Sequence, residues 1–401
     1  MADLLPGCVI QKILCLISYK EASKMNSLYK TWSQAWLTLP NLEFTVSCRR
    51  GREGHTKKVD TIMERYGKGK IPIHKFELTE LFSDSSKLFH LVDKWLLIAL
   101  ENGVEQLVLH FTSYPPPILT ILAAKSLREL VLDDCTLMPV SGVVNCNSMR
   151  KISLSNVTLD ENMIQTLLDS CPFIVSFILK DCPGMTVLKI KSDSLKVLKI
   201  IQFFQTCDID APNLVYLDYA GTEIPHIARE TSQLKNSKII LHFSSLDTEW
   251  FCNLRKFLSN SSSWSEVILC LSDCDDEINM TDLQMDHIGS IGLVDVLNLN
   301  MLLMDEIIEC STFVDALLWS CHPCRLNVSS IDIETVTQLI DCLMSMKNSS
   351  HSSSNGSTPQ NNQLKDIKVF DGKNQLLQLE SEELAKRITK EPEKPYFILD
   401  W

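Results

Sequence analysis

Hydrophobic residues recur at helical spacing near the start of the chain. A first helix is predicted from six aliphatic residues at positions spaced three and four apart: Val9, Ile10, Ile13, Leu14, Leu16 and Ile17. Pro6 precedes them, and proline is tolerated at the first position of a helix. Ser18 followed by Glu21 forms a capping-box pattern, which predicts the start of a second helix.

A third helix is predicted from Leu28, Trp32 and Trp36, which would share one face. Three helices in about forty residues are too few to build a self-sufficient core. Large aliphatic residues and two tryptophans in so short a piece therefore predict a unit that docks on another surface.

Farther along the chain the periodicity changes from helices to short strands. The pattern L-x-x-L-x-L begins at Val104, Leu127, Met149 and Ile174, at intervals of 23, 22 and 25 residues. These intervals fall within the period of leucine-rich repeats, about 20–29 residues. The apolar positions of such a strand enter the core and the alternate positions face outward. The sequence therefore predicts an α/β repeat solenoid with a parallel sheet.

Other segments complete the predicted solenoid. A strand over 71–78 precedes these four copies, and a helix over 87–100 ends at Gly103, a glycine suited to the left-handed conformation. Weaker strands follow at 185–190, 195–200, 214–219, 238–243, 267–271, 294–299, 324–328 and 364–369. Helices are predicted at 304–318, 333–346 and 376–388, the last followed by a tail. Short spacing between 185 and 200 predicts an irregular horseshoe.

The first forty residues resemble an F-box, in the form found in the plant family of F-box/leucine-rich-repeat proteins. The residues that carry this resemblance stand in the order Leu5, Pro6, Ile10, Ile13, Leu14, Lys20, Glu21, Ala22, Leu28, Lys30, Trp32, Trp36, Pro40 and Leu42. The chain departs from the family pattern at Gly7 and Cys8, where an acidic pair is usual, and at Tyr19, where proline is expected. Loss of the acids removes roughly 0.3–1 kcal/mol of favourable charge at a helix N-terminus.

The resemblance implies a division of the chain into five segments. An F-box at 1–44 would be followed by a linker helix and loop at 45–70, with the loop at 48–58. A leucine-rich-repeat solenoid would occupy 71–350. The polar stretch 351–363 predicts a disordered loop, and a last repeat, cap and tail would fill 364–401.

The resemblance also implies a function and a set of adaptor-binding residues. The chain would be the substrate receptor of a Skp-adaptor–cullin–F-box ubiquitin ligase, in which the repeats bind an unknown target protein. The residues assigned to the F-box core and the adaptor surface are Leu5, Pro6, Ile10, Ile13, Leu14, Leu28, Trp32 and Trp36. Two alternatives remain open: a repeat scaffold with a degenerate F-box that recruits no ligase, and a receptor for a small hormone-like molecule.

Composition and charge exclude several classes of partner. The net charge of −12 argues against general nucleic-acid binding, despite the basic residues between Arg49 and Lys58. No secretory leader or bilayer-spanning stretch is recognised. The 15 cysteines are scattered and odd in number, which predicts reduced thiols and a cytosolic or nuclear protein.

The sequence offers little candidate chemistry. Cys321 and Cys324 have the spacing of a redox or metal pair, but no second pair or histidine pair has zinc spacing. The sequence contains no phosphate-binding loop and no nucleophile or metalloprotease motif. We therefore expect no metal, no cofactor and no catalytic residue.

The outward positions of the central strands carry several cations. Lysines are predicted to gather on one face of the sheet, at Lys151, Lys180, Lys189, Lys191 and Lys199. Like charges on adjacent strands repel unless solvent or a partner relieves them. The face is either simply solvated or binds an acidic or phosphorylated segment of the target.

Overall fold

The computed structural model contains two compact units, residues 1–195 and 196–401. It describes residues 5–25, 30–47, 53–81, 86–139, 142, 144–203, 205–228, 234–235, 237–243, 246–261, 263–271, 278–285, 293–301, 310–350 and 364–401. Leu28, the start of the helix predicted at 304–318, and the segment 351–363, for which a disordered loop is predicted, lie outside the described residues.

Three short helices open the first unit, as predicted. They are α1 (Gly7–Leu14), α2 (Tyr19–Met25) and α3 (Lys30–Trp36). Pro6 is the N-cap of α1 and not its first helical residue. The capping box is confirmed: the Ser18 backbone N–H donates to Glu21 Oε2 over 3.1 Å, and the Glu21 N–H donates to Ser18 Oγ over 3.3 Å.

A parallel sheet follows the three helices within the first unit. Its strands pair in chain order: β1 (Asn41–Val46), β2 (Lys75–Glu80), β3 (Gln106–His110), β4 (Glu129–Asp133), β5 (Lys151–Ser155) and β6 (Ser176–Lys180). Burial alternates along each strand. In β4, Leu130 and Leu132 are fully buried, whereas Val131 faces outward, as L-x-x-L-x-L predicts.

Helices cover the core of the first unit between the strands: α4 (Glu53–Gly69), α5 (Phe89–Glu101), α6 (Ile118–Leu122) and α7 (Glu161–Ser170). Gly103 follows α5 with φ of +81°, a left-handed conformation that glycine adopts at little steric cost. Asp160 caps α7, and its carboxylate accepts a 2.8 Å hydrogen bond from the Met163 N–H.

A partly buried polar contact joins α4 and α5. Asp60 accepts hydrogen bonds from Lys94 Nζ at 2.8 Å and from Trp95 Nε1 at 2.9 Å. Burial alone would raise the pKa of Asp60, but these two donors favour the carboxylate, and its pKa is lowered. The contact therefore orients the fully buried Trp95 between the two helices.

Three predictions for the first unit need correction. The first strand is β1, immediately after α3, and not the stretch 71–78. Helix α4 begins at Glu53, inside the predicted loop, and passes through Gly67. Strand β7 (Val187–Lys191) does not belong to the sheet of β1–β6, because the short connection before it turns it into a separate three-stranded sheet.

The second unit is also built on a long sheet. Six parallel strands pair in the order β8 (Val197–Phe203), β10 (Tyr216–Gly221), β12 (Ser237–Phe243), β13 (Ser263–Leu271), β14 (Leu293–Met301) and β15 (Pro323–Ser330). β9 (Thr206–Asp210) and β11 (His226–Ile227) pair in parallel in a separate sheet. Neither of these two strands was predicted.

The end of the second unit differs from the prediction. Strand β18 (Tyr396–Asp400) replaces the predicted tail and lies antiparallel between β15 and β16 (Asp366–Phe370). β17 (Leu376–Leu377) takes the start of the predicted closing helix, so that α12 covers only Ser381–Lys390. The other helices are α8 (Thr248–Leu258), α9 (Met280–Met285), α10 (Cys310–Cys321) and α11 (Ile333–Ser350).

A tight turn joins α10 to β15 at His322, whose φ is +42°. The His322 ring stacks on Trp401 with centroids 4.3 Å apart, and Trp401 Nε1 donates to the Pro323 carbonyl over 2.9 Å. Burial, assisted by the positive charge of Arg255, lowers the pKa of His322 to about 4. The imidazole is therefore neutral in the folded unit at neutral pH.

His322 should make stability depend on pH. Because its pKa is lower in the folded chain than the ordinary value of 6.5, the unfolded chain binds the proton more readily. The contribution of the neutral imidazole to the free energy of unfolding is complete above pH 6.5. It is lost as pH falls towards about 4, which lowers the free energy of unfolding by about 3 kcal/mol. We expect the His322→Asn variant to have a free energy of unfolding that changes less with pH, and asparagine tolerates the positive φ at this position. Urea unfolding at several pH values in this range measures the free energy of unfolding. If the variant shows the same pH dependence as the wild type, His322 is not the group responsible.

Candidate functional site

The three N-terminal helices expose apolar side chains near the start of α1. Leu5 is 39% exposed and Val9 38%, and Pro6 is also exposed, whereas the exposed Leu16 lies past the C-terminal end of α1. We call Leu5, Pro6 and Val9 the N-terminal apolar patch. Exposed apolar residues clustered in one short segment are typical of a protein-docking surface.

The remaining predicted adaptor-binding residues face the small helical core. Ile10, Leu14 and Trp32 are buried there with Ala22, Ala35 and Leu39. Ile13 and Trp36 are partly buried and pack against the same cluster. The predicted set thus divides into core residues and exposed residues, and only Leu5 and Pro6 of the described members are exposed.

Tyr19 has a packing role at the position where the resemblance predicts proline. Its ring lies 5.8 Å from Trp36 and 5.2 Å from Phe44 of β1, measured between centroids. Burial raises the pKa of the phenol, so that it stays neutral. The tyrosine therefore contacts both the helical core and the first strand of the sheet.

The outward face of the β1–β6 sheet carries pairs of opposite charges. Lys75 Nζ lies 3.2 Å from Glu43 and 2.7 Å from Glu77, and Lys151 Nζ lies 2.6 Å from Glu129. Glu129 and Lys151 are register partners on neighbouring strands, whereas Lys75 reaches Glu77 on its own strand and Glu43 on β1. Their charges are therefore largely balanced within the face.

The outward face of the second unit has a similar polar row. Lys199 Nζ lies 3.3 Å from Asp218, and Lys238 Nζ lies 2.5 Å from Glu266. Two asparagines continue the row across the next strands: Asn298 donates to Glu266 over 2.8 Å and Asn327 donates to Asn298 over 2.7 Å. This face resembles that of the first unit in its chemistry.

The structure does not gather the five predicted lysines on one sheet face. Lys151 and Lys180 lie on the β1–β6 sheet, whereas Lys189 and Lys191 lie on β7 in a different sheet. Lys199 belongs to the second unit and is paired with Asp218. The predicted common face is therefore wrong for Lys189 and Lys191, because the short connection before β7 places this strand in a different sheet. A role of these lysines in binding is a separate matter and stays a prediction.

The described residues offer no clustered metal ligands. Cys321 is buried and Cys324 is exposed, on the two sides of the His322 turn. Within the described ranges, no three His, Cys, Asp or Glu side chains lie close enough to share an ion. A search of the same ranges also finds no helix with the length and apolar character needed to cross a membrane.

Comparison with known proteins yields one family model and several plant relatives. The model, described as "At1g61320/AtMIF1, LRR domain", matches residues 62–287. The F-box/LRR-repeat protein At3g59200 of Arabidopsis thaliana is 26% identical over 362 residues, which cover 84% of this chain and 64% of that protein. The F-box/FBD/LRR-repeat protein At1g13570 of the same plant is 26% identical over 53% of this chain and 51% of its own length.

The similarity includes proteins named only for the F-box. The putative F-box protein At3g58860 of Arabidopsis thaliana is 29% identical over 54% of this chain and 50% of its own length. The chain thus spans about half to two thirds of the length of these relatives. The family model covers more than half of the chain, and the matched range contains strands β2–β13. The chain therefore belongs to the plant F-box/leucine-rich-repeat family.

Proposed function

We propose that the chain is the substrate-receptor subunit of a Skp-adaptor–cullin–F-box ubiquitin ligase. The observation that carries this proposal is the N-terminal apolar patch, exposed on a helical piece whose own core is already filled by other residues. The relatives named F-box/LRR-repeat proteins support the same assignment. We place the complex in the cytosol or the nucleus.

The proposed mechanism requires no reactive side chain in this chain. The patch docks on a Skp-type adaptor, which connects the chain to the cullin and to the ubiquitin-charged enzyme. The repeat sheets hold a target protein, and tethering raises the effective concentration of the target's lysines near that enzyme. The chain is therefore a non-catalytic adaptor in this proposal.

The outward sheet faces are the proposed target-binding surfaces. In the first unit, exposed or half-buried positions on β3–β5 combine valines with paired charges, as at Val108 and Val131 beside Lys151 and Glu129. Such a mixture of apolar area and fixed polar groups suits a protein surface better than a small buried ligand. A hormone-like ligand would instead need an enclosed pocket.

Co-purification with an adaptor tests the proposal. The full chain is co-expressed with a plant Skp-type adaptor, and the mixture is separated by size-exclusion chromatography. We expect a stable complex with one adaptor per chain. This complex should bind the cullin and support ubiquitin transfer when a target is supplied. A chain that elutes alone at micromolar concentrations of both proteins would contradict the ligase assignment.

The alternative is a repeat scaffold that recruits no ligase. The first turn of α1 lacks any acidic residue, because Gly7 and Cys8 occupy the positions where the family has acids. Without these charges the helix N-terminus loses a stabilising interaction. Restoring them with Gly7→Glu and Cys8→Asp should tighten adaptor binding if the patch docks as proposed, and should have no effect on a scaffold.

Two exposed lysines provide a test of target binding. Lys180 and Lys189 have no carboxylate partner within the described part of the chain, in contrast to Lys151 and Lys199. We expect reversal of both to glutamate to reduce target capture while changing stability by less than about 0.5 kcal/mol. The loss should deepen at low salt, since the Debye length is roughly 30 Å at 0.01 M and 10 Å at 0.1 M.

The control for this reversal has the same change in charge on another surface. Lys373 and Lys390 are exposed and lie far from β6 and β7 in the sequence. Targets are compared by affinity purification under proteasome inhibition for the wild type and both double variants. Equal capture by all three proteins would exclude Lys180 and Lys189 from recognition.

A further inference from the structure

The edge at which the strands of the first unit begin carries a row of equivalent residues. The Glu105 carbonyl accepts hydrogen bonds from the N–H groups of Arg128, at 2.8 Å, and Glu129, at 3.0 Å. The Arg128 carbonyl accepts from Arg150, at 2.8 Å, and Lys151, at 3.0 Å. Glu105, Arg128 and Arg150 therefore occupy the same position on three neighbouring strands, which lie about 4.8 Å apart.

A cleft of about 450 Å³ opens at this edge. We call it the basic cleft, and its lining residues are Glu105, Lys125, Ser126, Arg128, Ser148 and Arg150. Three cationic side chains thus face one carboxylate. Arg128 Nε lies 3.8 Å from Glu105, a distance at which a largely exposed pair contributes little. Cations remain in excess within the cleft.

The guanidinium of Arg150 is held in place by its surroundings. Its Nη1 donates to the carbonyl groups of Asn147 and Met149, both at 2.8 Å. The guanidinium carbon lies 5.7 Å from the centre of the Phe173 ring, within range of a cation–π contact. An arginine that is already oriented loses less conformational entropy when it binds an anion.

The basic cleft differs from the outward face of the same sheet in its charge balance. On that face the strand residues Lys75 and Lys151 each lie within 3.2 Å of a carboxylate. In the cleft Lys125 has no ion-pair partner within the described residues, and two arginines stand on adjacent strands. Positive charges placed together repel unless an anion lies between them.

We propose that the basic cleft binds a phosphate monoester group. Two arginines at equivalent positions of neighbouring strands line the cleft, and arginine makes forked hydrogen bonds to phosphate oxygens, while Lys125 adds a point charge. Ser126 donates its hydroxyl to the Val104 carbonyl over 2.9 Å and so forms part of the wall. The volume matches a small phosphorylated molecule or a phosphoserine side chain. This inference does not depend on the proposed ligase function.

Isothermal titration of the full chain tests the site with three probes: inorganic phosphate, glucose 6-phosphate and a short phosphoserine peptide. We expect saturable binding of at least one monoester, weakened by added salt because the contacts are ionic. The double variant Arg128→Gln, Arg150→Gln should weaken binding by roughly tenfold or more. Binding of glucose 6-phosphate would indicate a free phosphorylated ligand, and binding of the peptide would indicate a phosphorylated partner. Either result supports a site for a phosphate monoester.

The matched control is Lys373→Gln, Lys390→Gln, which removes the same charge from exposed positions of the second unit. If this control weakens binding as much as the double arginine variant, or if no probe binds the wild type, the proposal is wrong. Arg150→Lys covers the case in which the glutamine variant fails to fold, since it keeps the charge but loses the fork. Unchanged affinity of a folded Arg150→Lys protein would also overturn the site.

Discussion

The Leu5→Ala, Pro6→Ala double variant should lose co-purification with the Skp-type adaptor. Both residues belong to the N-terminal apolar patch, outside the cluster formed by Ile10, Leu14 and Trp32. Their truncation therefore removes apolar contact area without opening a cavity in the helical core. Because a few central apolar residues dominate most interfaces, we expect adaptor recovery to fall below a tenth of the wild-type level, roughly a loss of 1.4 kcal/mol or more.

The control for the adaptor experiment is Leu376→Ala, which truncates an exposed leucine in the second unit. It should leave adaptor recovery unchanged. Circular dichroism and the thermal midpoint of the double variant should match those of the wild type. Wild-type recovery by the folded double variant would show that Leu5 and Pro6 do not form the docking surface.

Trp95→Ala should be among the most destabilising single substitutions in the first unit. The side chain is fully buried between α4 and α5, and its indole N–H donates to Asp60 over 2.9 Å. Its removal leaves a large cavity and takes one donor from a half-buried carboxylate. We expect a decrease of about 3–5 kcal/mol in the free energy of unfolding, measured by urea titration at neutral pH.

Two variants separate the packing of Trp95 from its hydrogen bond. Trp95→Phe keeps most of the volume and should cost about 1–3 kcal/mol, because Asp60 still has Lys94. Phe173→Ala removes an aromatic ring that is exposed and should change stability by about 0.5 kcal/mol. A Trp95→Ala effect no larger than that of Phe173→Ala would refute the assignment of Trp95 to the core.

Sequence periodicity was sufficient to predict the regular helices and strands of the fold. The three N-terminal helices, the capping box at Ser18 and the strands β3–β6 follow directly from positions spaced at 3.6 or 2 residues. Each of these elements has one buried and one exposed face, so apolar and polar residues alternate along its sequence with the period of the helix or strand. The α/β solenoid class was predictable for the same reason.

The missed elements share a different physical cause. Only four residues separate β1 from α3, and the end of the helical pattern obscures the alternation of the strand. β18 is framed by prolines and charged residues, and only its pairing with β15 and β16 identifies it as a strand. Pairing between distant segments depends on tertiary contacts, which a local pattern does not contain.

The candidate site was predictable to a similar extent. The apolar character of Leu5 and Pro6 could be recognised from sequence, but their separation from Ile10 and Leu14 required the packing of α1 against α3. The lysine prediction failed at β7 because membership of a sheet is set by the path of the chain. The basic cleft was missed because Arg128 and Arg150 are 22 residues apart and meet only through strand register.

The antiparallel insertion of β18 has a consequence for protein synthesis. Asn327 of β15 pairs with Tyr396, which the ribosome adds about seventy residues later. At roughly 5–20 residues per second, the edge of β15 stays open for several seconds while the rest of the sheet can already form. Open strand edges pair with other chains, so nascent molecules on the same messenger RNA are exposed to one another during this interval. A chaperone that covers the β15 edge until β18 has emerged would prevent such pairing.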